Sequence, residues 1–144
     1  MLRTYVRMRG TASRTAQPLP FCHDLYVSRT VLIVDDHPSF RASARAMLEA
    51  EGFDVVGELT EGASVVETVL ALEPDVVLLD VQLPDMTGFD VCAGLENCDA
   101  STAQVILVSS RDLTDYGELV DVSCACGFVP KGELSGDLIA ALLA

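Results

Sequence analysis

The feature that most constrains this chain is the alternation of short apolar runs with segments of helical periodicity. Five such runs follow residue 29, at residues 31–34, 55–56, 76–79, 105–108 and 128–129. The first, third and fourth are continuous and rich in Val, Ile and Leu. Continuous runs of this length are typical of strands buried on both faces of a parallel sheet.

Apolar residues at helical spacing occupy the stretches between and after these runs. Pro38 is placed to open the first helix, and Pro74 closes the second. The fourth helix is expected over residues 113–120, where Gly117 weakens it, and the fifth runs from Leu134 to the end of the chain. Strand and helix alternate five times, which predicts an α/β fold with helices on both faces of a five-stranded parallel sheet.

Charge divides the chain into two parts. Residues 1–29 hold five of the nine basic residues and one acidic residue, whereas residues 30–144 hold four basic and 21 acidic residues, a net charge of −17. We interpret residues 1–29 as a basic, disordered extension and residues 30–144 as the folded domain. The extension could also be a docking arm or a targeting peptide, or reflect a start codon assigned too early. The acidic domain is not expected to bind nucleic acid or anionic lipid directly.

Cellular location is indicated by cysteine usage and hydropathy. The five cysteines are an odd number, and no apolar run forms a signal peptide or a membrane span of about 20 residues. These features predict a cytoplasmic protein with reduced thiols and no membrane association.

Polar residues stand where the predicted strands end. Asp35 and Asp36 follow the first strand, Asp80 the third, Ser109 the fourth and Lys131 the fifth. Because ligands of doubly wound sheets bind at the carboxyl ends of the strands, we expect these side chains to meet at one edge. Each of them alone could instead be an ordinary turn or cap residue.

This set of side chains predicts phosphoryl chemistry. Three neighbouring carboxylates repel one another and need a cation, and Mg²⁺ suits oxygen ligands of this kind. A carboxylate can attack phosphorus as a nucleophile, while an ammonium neutralises charge on the phosphoryl oxygens. Lys131, the only lysine in the chain, supplies that ammonium.

Four segments, residues 31–38, 77–88, 105–110 and 127–131, resemble in order and spacing the receiver domains of response regulators in two-component signalling. The resemblance covers roughly residues 30–144 and is greatest to the LuxR or nitrate-regulator type. Members of that type usually carry a helix-turn-helix output domain, which we do not expect within these residues. It implies a flavodoxin-like (βα)5 fold with strand order 2-1-3-4-5.

The resemblance also implies roles for individual residues. Asp80 would accept the phosphoryl group and Lys131 would pair with its oxygens. Asp35, Asp36 and Asp80 would hold Mg²⁺, with the backbone carbonyl of Gln82 as a further ligand.

Two residues would carry the conformational switch in such a domain. Ser109 would contact the phosphate, and Phe128 would turn inward as Ser109 moves. The surface formed by the fourth helix, fifth strand and fifth helix would then change for an unidentified downstream protein. The phosphodonor would be a sensor histidine kinase or a phosphotransfer protein, and a homodimer is left open.

Two other functions compete with this interpretation. A hydrolase of the haloacid-dehalogenase type would need a second aspartate two residues after the nucleophile, where this chain has Gln82. A docking or oligomerisation module that works without phosphorylation is the second alternative. We expect a signalling domain that catalyses only its own phosphotransfer and dephosphorylation.

Overall fold

The computed structural model describes residues 5–6, 28–98 and 102–143. Its strands and helices are β1 (Tyr5–Val6), β2 (Thr30–Val34), α1 (Pro38–Ala50), β3 (Asp54–Leu59), α2 (Val65–Leu72), β4 (Val76–Asp80), α3 (Gly88–Glu96), β5 (Gln104–Ser109), α4 (Leu119–Val122), β6 (Gly127–Pro130) and α5 (Gly136–Leu143). Two 3₁₀ turns span Leu113–Asp115 and Lys131–Glu133.

The sheet has the predicted topology. Strands β2 to β6 are parallel and lie side by side in the order β3-β2-β4-β5-β6. Counted among themselves, these five strands have the order 2-1-3-4-5, so the flavodoxin-like arrangement is confirmed. The strand order reverses between β2 and β4, and the crevice at such a point is where these folds bind ligands.

A sixth strand, β1, extends the sheet at the β6 edge. It runs antiparallel to β6, with Tyr5 opposite Phe128 and Val6 opposite Gly127. The other residues before Ser28 lie outside the described part of the chain. The interpretation of residues 1–29 as a disordered extension therefore stays a prediction.

Apolar side chains of the central strands point alternately to the two faces of the sheet, as the period of a strand requires. Leu32, Leu79 and Leu107 pack against α2, α3 and α4 in one core. Ile33 and Leu78 pack against α1 and α5 in the other. Burial on both faces is the physical reason that these strands read as continuous apolar runs.

The start of α3 is fixed tightly against the end of β4. The hydroxyl of Thr87 accepts a hydrogen bond from the Asp90 amide at 3.2 Å, and the Asp90 carboxylate accepts one from the Thr87 amide at 3.0 Å. This capping box satisfies two amides that the helix leaves open. The Gly88 amide donates to the Val81 carbonyl at 2.7 Å, which anchors the loop that follows Asp80.

The fourth helix differs from the prediction. Residues 113–120 do not form one helix, because Gly117 adopts φ +53°, outside the right-handed helical region. A 3₁₀ turn at Leu113–Asp115 precedes it, and α4 has only four residues.

No helix among residues 28–98 and 102–143 is long and apolar enough to cross a membrane.

Candidate functional site

The carboxyl edge of the sheet brings the predicted polar residues together. Asp35 follows β2, Asp80 ends β4, Ser109 ends β5 and Lys131 follows β6. Asp35, Asp80 and Ser109 are 0%, 2% and 1% exposed, whereas Asp36 is open to solvent. The edge is thus a cluster of buried polar groups with one exposed aspartate at its mouth.

Lys131 bridges the two buried carboxylates. Its Nζ lies 2.6 Å from Asp35 Oδ2 and donates a hydrogen bond to Asp80 Oδ2 at 3.2 Å. The same ammonium lies 4.6 Å from the centre of the Phe40 ring, an arrangement that favours the cation. Lys131 therefore supplies the positive charge that allows two aspartates to be buried side by side.

His37 is the N-cap residue of α1. Its ring also enters the acidic cluster, with Nδ1 2.9 Å from Asp35 Oδ1, 3.2 Å from Asp36 Oδ1 and 3.8 Å from Asp80 Oδ2. The side chain is 60% exposed, so the ring has room to turn away from the carboxylates. Sequence reasoning missed this placement, because one histidine next to acids has many other uses.

The electrostatics of Asp80 reflect its burial. Loss of water raises the pKa of Asp80 above its ordinary value, and the negative charge of Asp35 raises it further. A hydrogen bond from the Gln82 amide to Oδ1, 3.1 Å long, and the proximity of Lys131 lower the pKa of Asp80. A cation added to the cluster would favour the charged form of this carboxyl.

The cluster can hold a metal ion. Asp35, Asp36, His37 and Asp80 each place one ligand atom within 4.8 Å of the others. Asp35 Oδ2 is buried, and the group that approaches it is the ammonium of Lys131 at 2.6 Å. Buried carboxylate oxygens with spare lone pairs fit a hard divalent cation better than the imidazole does. The ligand role of the Gln82 carbonyl stays a prediction.

Ser109 makes its hydrogen bonds away from the carboxylates. Its Oγ lies 2.7 Å from the Tyr116 hydroxyl and accepts a bond from the Arg111 amide at 3.0 Å. Phe128 is fully buried, so the expected inward turn would start from a ring already inside the core. Sequence reasoning did not single out Tyr116 as a partner of Ser109, although a partly buried tyrosine commonly needs a partner for its hydroxyl.

A further aspartate, Asp85, lies in the loop after β4 and fixes its position. Its two carboxylate oxygens accept hydrogen bonds from the amides of Gly62 at 2.8 Å and Ala63 at 2.9 Å. These hydrogen bonds lower the pKa of Asp85, and the bond from Gly62 has the larger effect. The contact ties the β4–α3 loop to the β3–α2 loop beside the candidate site.

Fold and site together define a class of protein, the flavodoxin-like domains with an acidic cluster at the carboxyl edge of the sheet. The family model described as the response regulator receiver domain matches residues 31–143. The chain belongs to the response-regulator receiver family.

Individual relatives agree with this assignment. The DNA-binding transcriptional activator EvgA of Escherichia coli K12 is 37% identical over 111 residues, which are 77% of this chain and 54% of EvgA. The nitrate/nitrite response regulator protein NarP of the same strain is 39% identical over 103 residues, 70% of this chain and 47% of NarP. The chain thus spans about half the length of these curated relatives.

Among solved structures, the chain is similar to the signal receiver domain of the putative response regulator NarL from Mycobacterium tuberculosis. It superposes with a TM-score of 0.68 and 30% sequence identity, covering 80% of this chain and 96% of that one. The match confirms the predicted resemblance to receivers of the nitrate-regulator type.

Proposed function

We propose that this domain takes a phosphoryl group onto Asp80 from a histidine kinase or phosphotransfer protein of a two-component system. The observation that carries the proposal is the position of the Asp80 carboxylate, 2% exposed, 3.2 Å from the only lysine and beside Asp35 and Asp36. A nucleophile, a fixed cation and a set of metal ligands are the groups that this transfer requires.

The transfer step uses the Asp80 carboxylate as nucleophile. One carboxylate oxygen forms a bond to phosphorus while the P–N bond of a phosphohistidine breaks, and the donor imidazole leaves with the bonding electrons. Lys131 neutralises charge on the phosphoryl oxygens as they arrive, because its Nζ already lies at Asp80 Oδ2. The Gln82 amide holds the other oxygen, Oδ1, and so orients the carboxylate.

Asp35, Asp36 and Asp80 would hold Mg²⁺ in this reaction, with the Gln82 carbonyl as a further ligand. Bound there, the ion supplies positive charge to the phosphoryl oxygens and relieves the repulsion among the carboxylates. Asp35 is suited to this role because its buried carboxylate places an oxygen within 4.8 Å of ligand atoms of Asp36 and Asp80.

The output of the domain is a change of its surface. Phosphorylation adds nearly two negative charges and three acceptor oxygens at Asp80, which draws in the Ser109 hydroxyl. The rearrangement reaches the face formed by α4, β6 and α5, where Leu119 is 51% and Val122 is 72% exposed. A downstream protein that prefers the altered face shifts the population toward it. Residues 30–144 carry a net charge of −17, which repels the phosphate backbone of DNA. The output therefore passes to a downstream protein in the cytoplasm and not through direct contact of these residues with DNA.

Labelling with radioactive acetyl phosphate and Mg²⁺ tests the proposal. The wild-type chain and the variant Asp112→Asn, which alters an exposed carboxylate near the same edge, should both be labelled. Asp80→Asn should remain unlabelled, and label on the wild type should be lost at alkaline pH, as an acyl phosphate requires. Equal labelling of Asp80→Asn would refute the assignment. No labelling of the wild type, together with no binding of Mg²⁺, would favour the phosphorylation-independent docking module.

A further inference from the structure

The hydroxyl of Ser109 is held by a residue outside the acidic cluster. Ser109 Oγ lies 2.7 Å from the Tyr116 hydroxyl and accepts a hydrogen bond from the Arg111 amide at 3.0 Å. Within the part of the chain that the structure describes, no hydrogen bond joins Ser109 to Asp80 or Lys131. The hydrogen bonds of the Ser109 hydroxyl are therefore made to residues of the segment that follows β5.

The Tyr116 ring is fixed by two other aromatic rings. It packs edge-on against Phe89 of α3 with the ring centres 5.7 Å apart, and in a tilted arrangement against Phe128 of β6, also at 5.7 Å. Aromatic pairs of this geometry stabilise a defined ring orientation. The packing thus directs the hydroxyl at Ser109, and it connects that hydrogen bond to the core behind β6.

The backbone around Tyr116 can move without the loss of a long helix. Tyr116 lies between the 3₁₀ turn at Leu113–Asp115 and the four-residue helix α4. Gly117, with φ +53°, has open space where a Cβ would be. A short, irregular segment of this kind costs less to rearrange than a regular helix does.

We propose that Tyr116 is a positioning residue that holds Ser109 in the unphosphorylated state. This inference rests on the proposed function, in which the Ser109 hydroxyl must bond to a phosphoryl oxygen on Asp80. The Ser109 and Tyr116 hydroxyls are 2.7 Å apart, so movement of Ser109 Oγ toward Asp80 takes it out of hydrogen-bond reach of Tyr116, whichever of the two hydroxyls donates. The freed tyrosine then changes its packing against Phe89 and Phe128, which passes the change to the segment before α4.

Removal of the Tyr116 hydroxyl should favour the activated state. A hydrogen bond between neutral groups contributes a net stabilisation equivalent to about a fivefold change in an equilibrium constant. Tyr116→Phe keeps the ring packing and deletes only the hydroxyl. We therefore expect Tyr116→Phe to bind beryllofluoride, a tetrahedral mimic of the phosphoryl group, about fivefold more tightly than the wild type in Mg²⁺.

The test is a double-mutant cycle on beryllofluoride affinity, measured by ¹⁹F NMR for the wild type, Tyr116→Phe, Ser109→Ala and the double variant. The gain from Tyr116→Phe should disappear when Ser109 is alanine. An unchanged or weaker affinity of Tyr116→Phe would overturn the inference, as would an equal gain in the Ser109→Ala background. If the wild type binds no beryllofluoride in Mg²⁺, the proposed function fails first, and the inference fails with it.

A spectroscopic signature gives a second readout that a purely structural role would not produce. The chain has three tyrosines and no tryptophan, so tyrosine dominates its near-ultraviolet absorption. Beryllofluoride should shift the tyrosine spectrum of the wild type as the phenol changes its hydrogen bond, and should leave that of Tyr116→Phe unshifted. A wild-type spectrum that does not change on binding would also overturn the inference.

Discussion

Replacement of Lys131 by Met tests how the acidic cluster is kept in one place. Lys131 Nζ lies 2.6 Å from Asp35 Oδ2 and 3.2 Å from Asp80 Oδ2, and the two carboxylates are 0% and 2% exposed. Methionine is an unbranched side chain of similar length, but it removes the charge that lies 4.6 Å from the centre of the Phe40 ring. The variant therefore leaves two buried aspartates without their shared cation.

The distances set the size of the effect. At an effective dielectric constant of about 20, Coulomb's law gives gross attractions of about 6 and about 5 kcal/mol for the two ion pairs. Most of this attraction is offset by the loss of water around all three groups. Removal of one partner from a buried pair costs about 3–5 kcal/mol, and the lysine side chain is 14% exposed, so we expect about 3 kcal/mol at pH 7.5.

The loss should depend on pH and on divalent cations. Burial raises the pKa of Asp80, and Lys131 opposes that rise, so its removal raises the pKa further. A carboxyl whose folded-state pKa lies above its unfolded-state value costs stability when ionised and gains stability as the pH falls. The deficit of Lys131→Met should therefore be largest at neutral pH and shrink as the pH falls through the raised pKa of Asp80. Millimolar Mg²⁺ should also reduce the deficit.

Urea denaturation followed by circular dichroism measures these differences. Arg45→Met is the matched control, because Arg45 also pairs with two carboxylates, Glu49 at 3.0 Å and Glu58 at 2.6 Å, but its side chain is 42% exposed. Surface pairs of this kind contribute less than about 1 kcal/mol. The reasoning is wrong if Lys131→Met loses no more stability than Arg45→Met, or if its loss does not shrink as the pH is lowered from 7.5.

Two further predictions concern the loops beside the site. In Gly88→Ala, the new Cβ would lie 2.7 Å from the Asp80 carbonyl oxygen, so the free energy of unfolding measured in urea should fall by about 2 kcal/mol. The control Gly132→Ala, whose Cβ meets nothing within 4 Å, should leave the free energy of unfolding nearly unchanged. Amides of the β3–α2 loop donate hydrogen bonds to the Asp85 carboxylate and lower its pKa in the folded state. The stability that Asp85 contributes is therefore fully present above the ordinary carboxyl pKa of about 3.9, and it is lost as the pH falls through the lower folded-state pKa. Asp85→Asn should therefore be less stable than the wild type at pH 7 and should approach it at low pH; a difference that does not change with pH would contradict the assignment.

Much of the fold could be predicted from the sequence. The continuous apolar runs became β2, β4 and β5, which are buried from both sides, and Pro38 begins α1 as expected. The fourth helix was predicted but its extent was wrong, because its apolar spacing is regular through Gly117, whose backbone leaves the helical region. Periodicity reports which side of a segment is apolar, but it does not report whether one backbone conformation runs through it.

The candidate site could be predicted only in outline. The order of Asp35, Asp80, Ser109 and Lys131 after successive strands placed them at one edge, because parallel strands end on the same side of a sheet. Their partners could not be inferred in this way. The bond between Ser109 and Tyr116, for example, depends on how a short irregular segment packs against α3 and β6.

The sequence by itself determined the class of fold, the order of its parallel strands and the edge at which the polar residues lie. These properties follow from local periodicity, from the succession of strands and from the resemblance to known receivers. Only the tertiary structure decided that the His37 ring enters the carboxylates, that Lys131 bridges Asp35 and Asp80, and that Tyr116 holds Ser109. Such contacts join residues whose separation in the chain carries no periodic signal, so they are fixed by side-chain packing once the sheet and helices have come together.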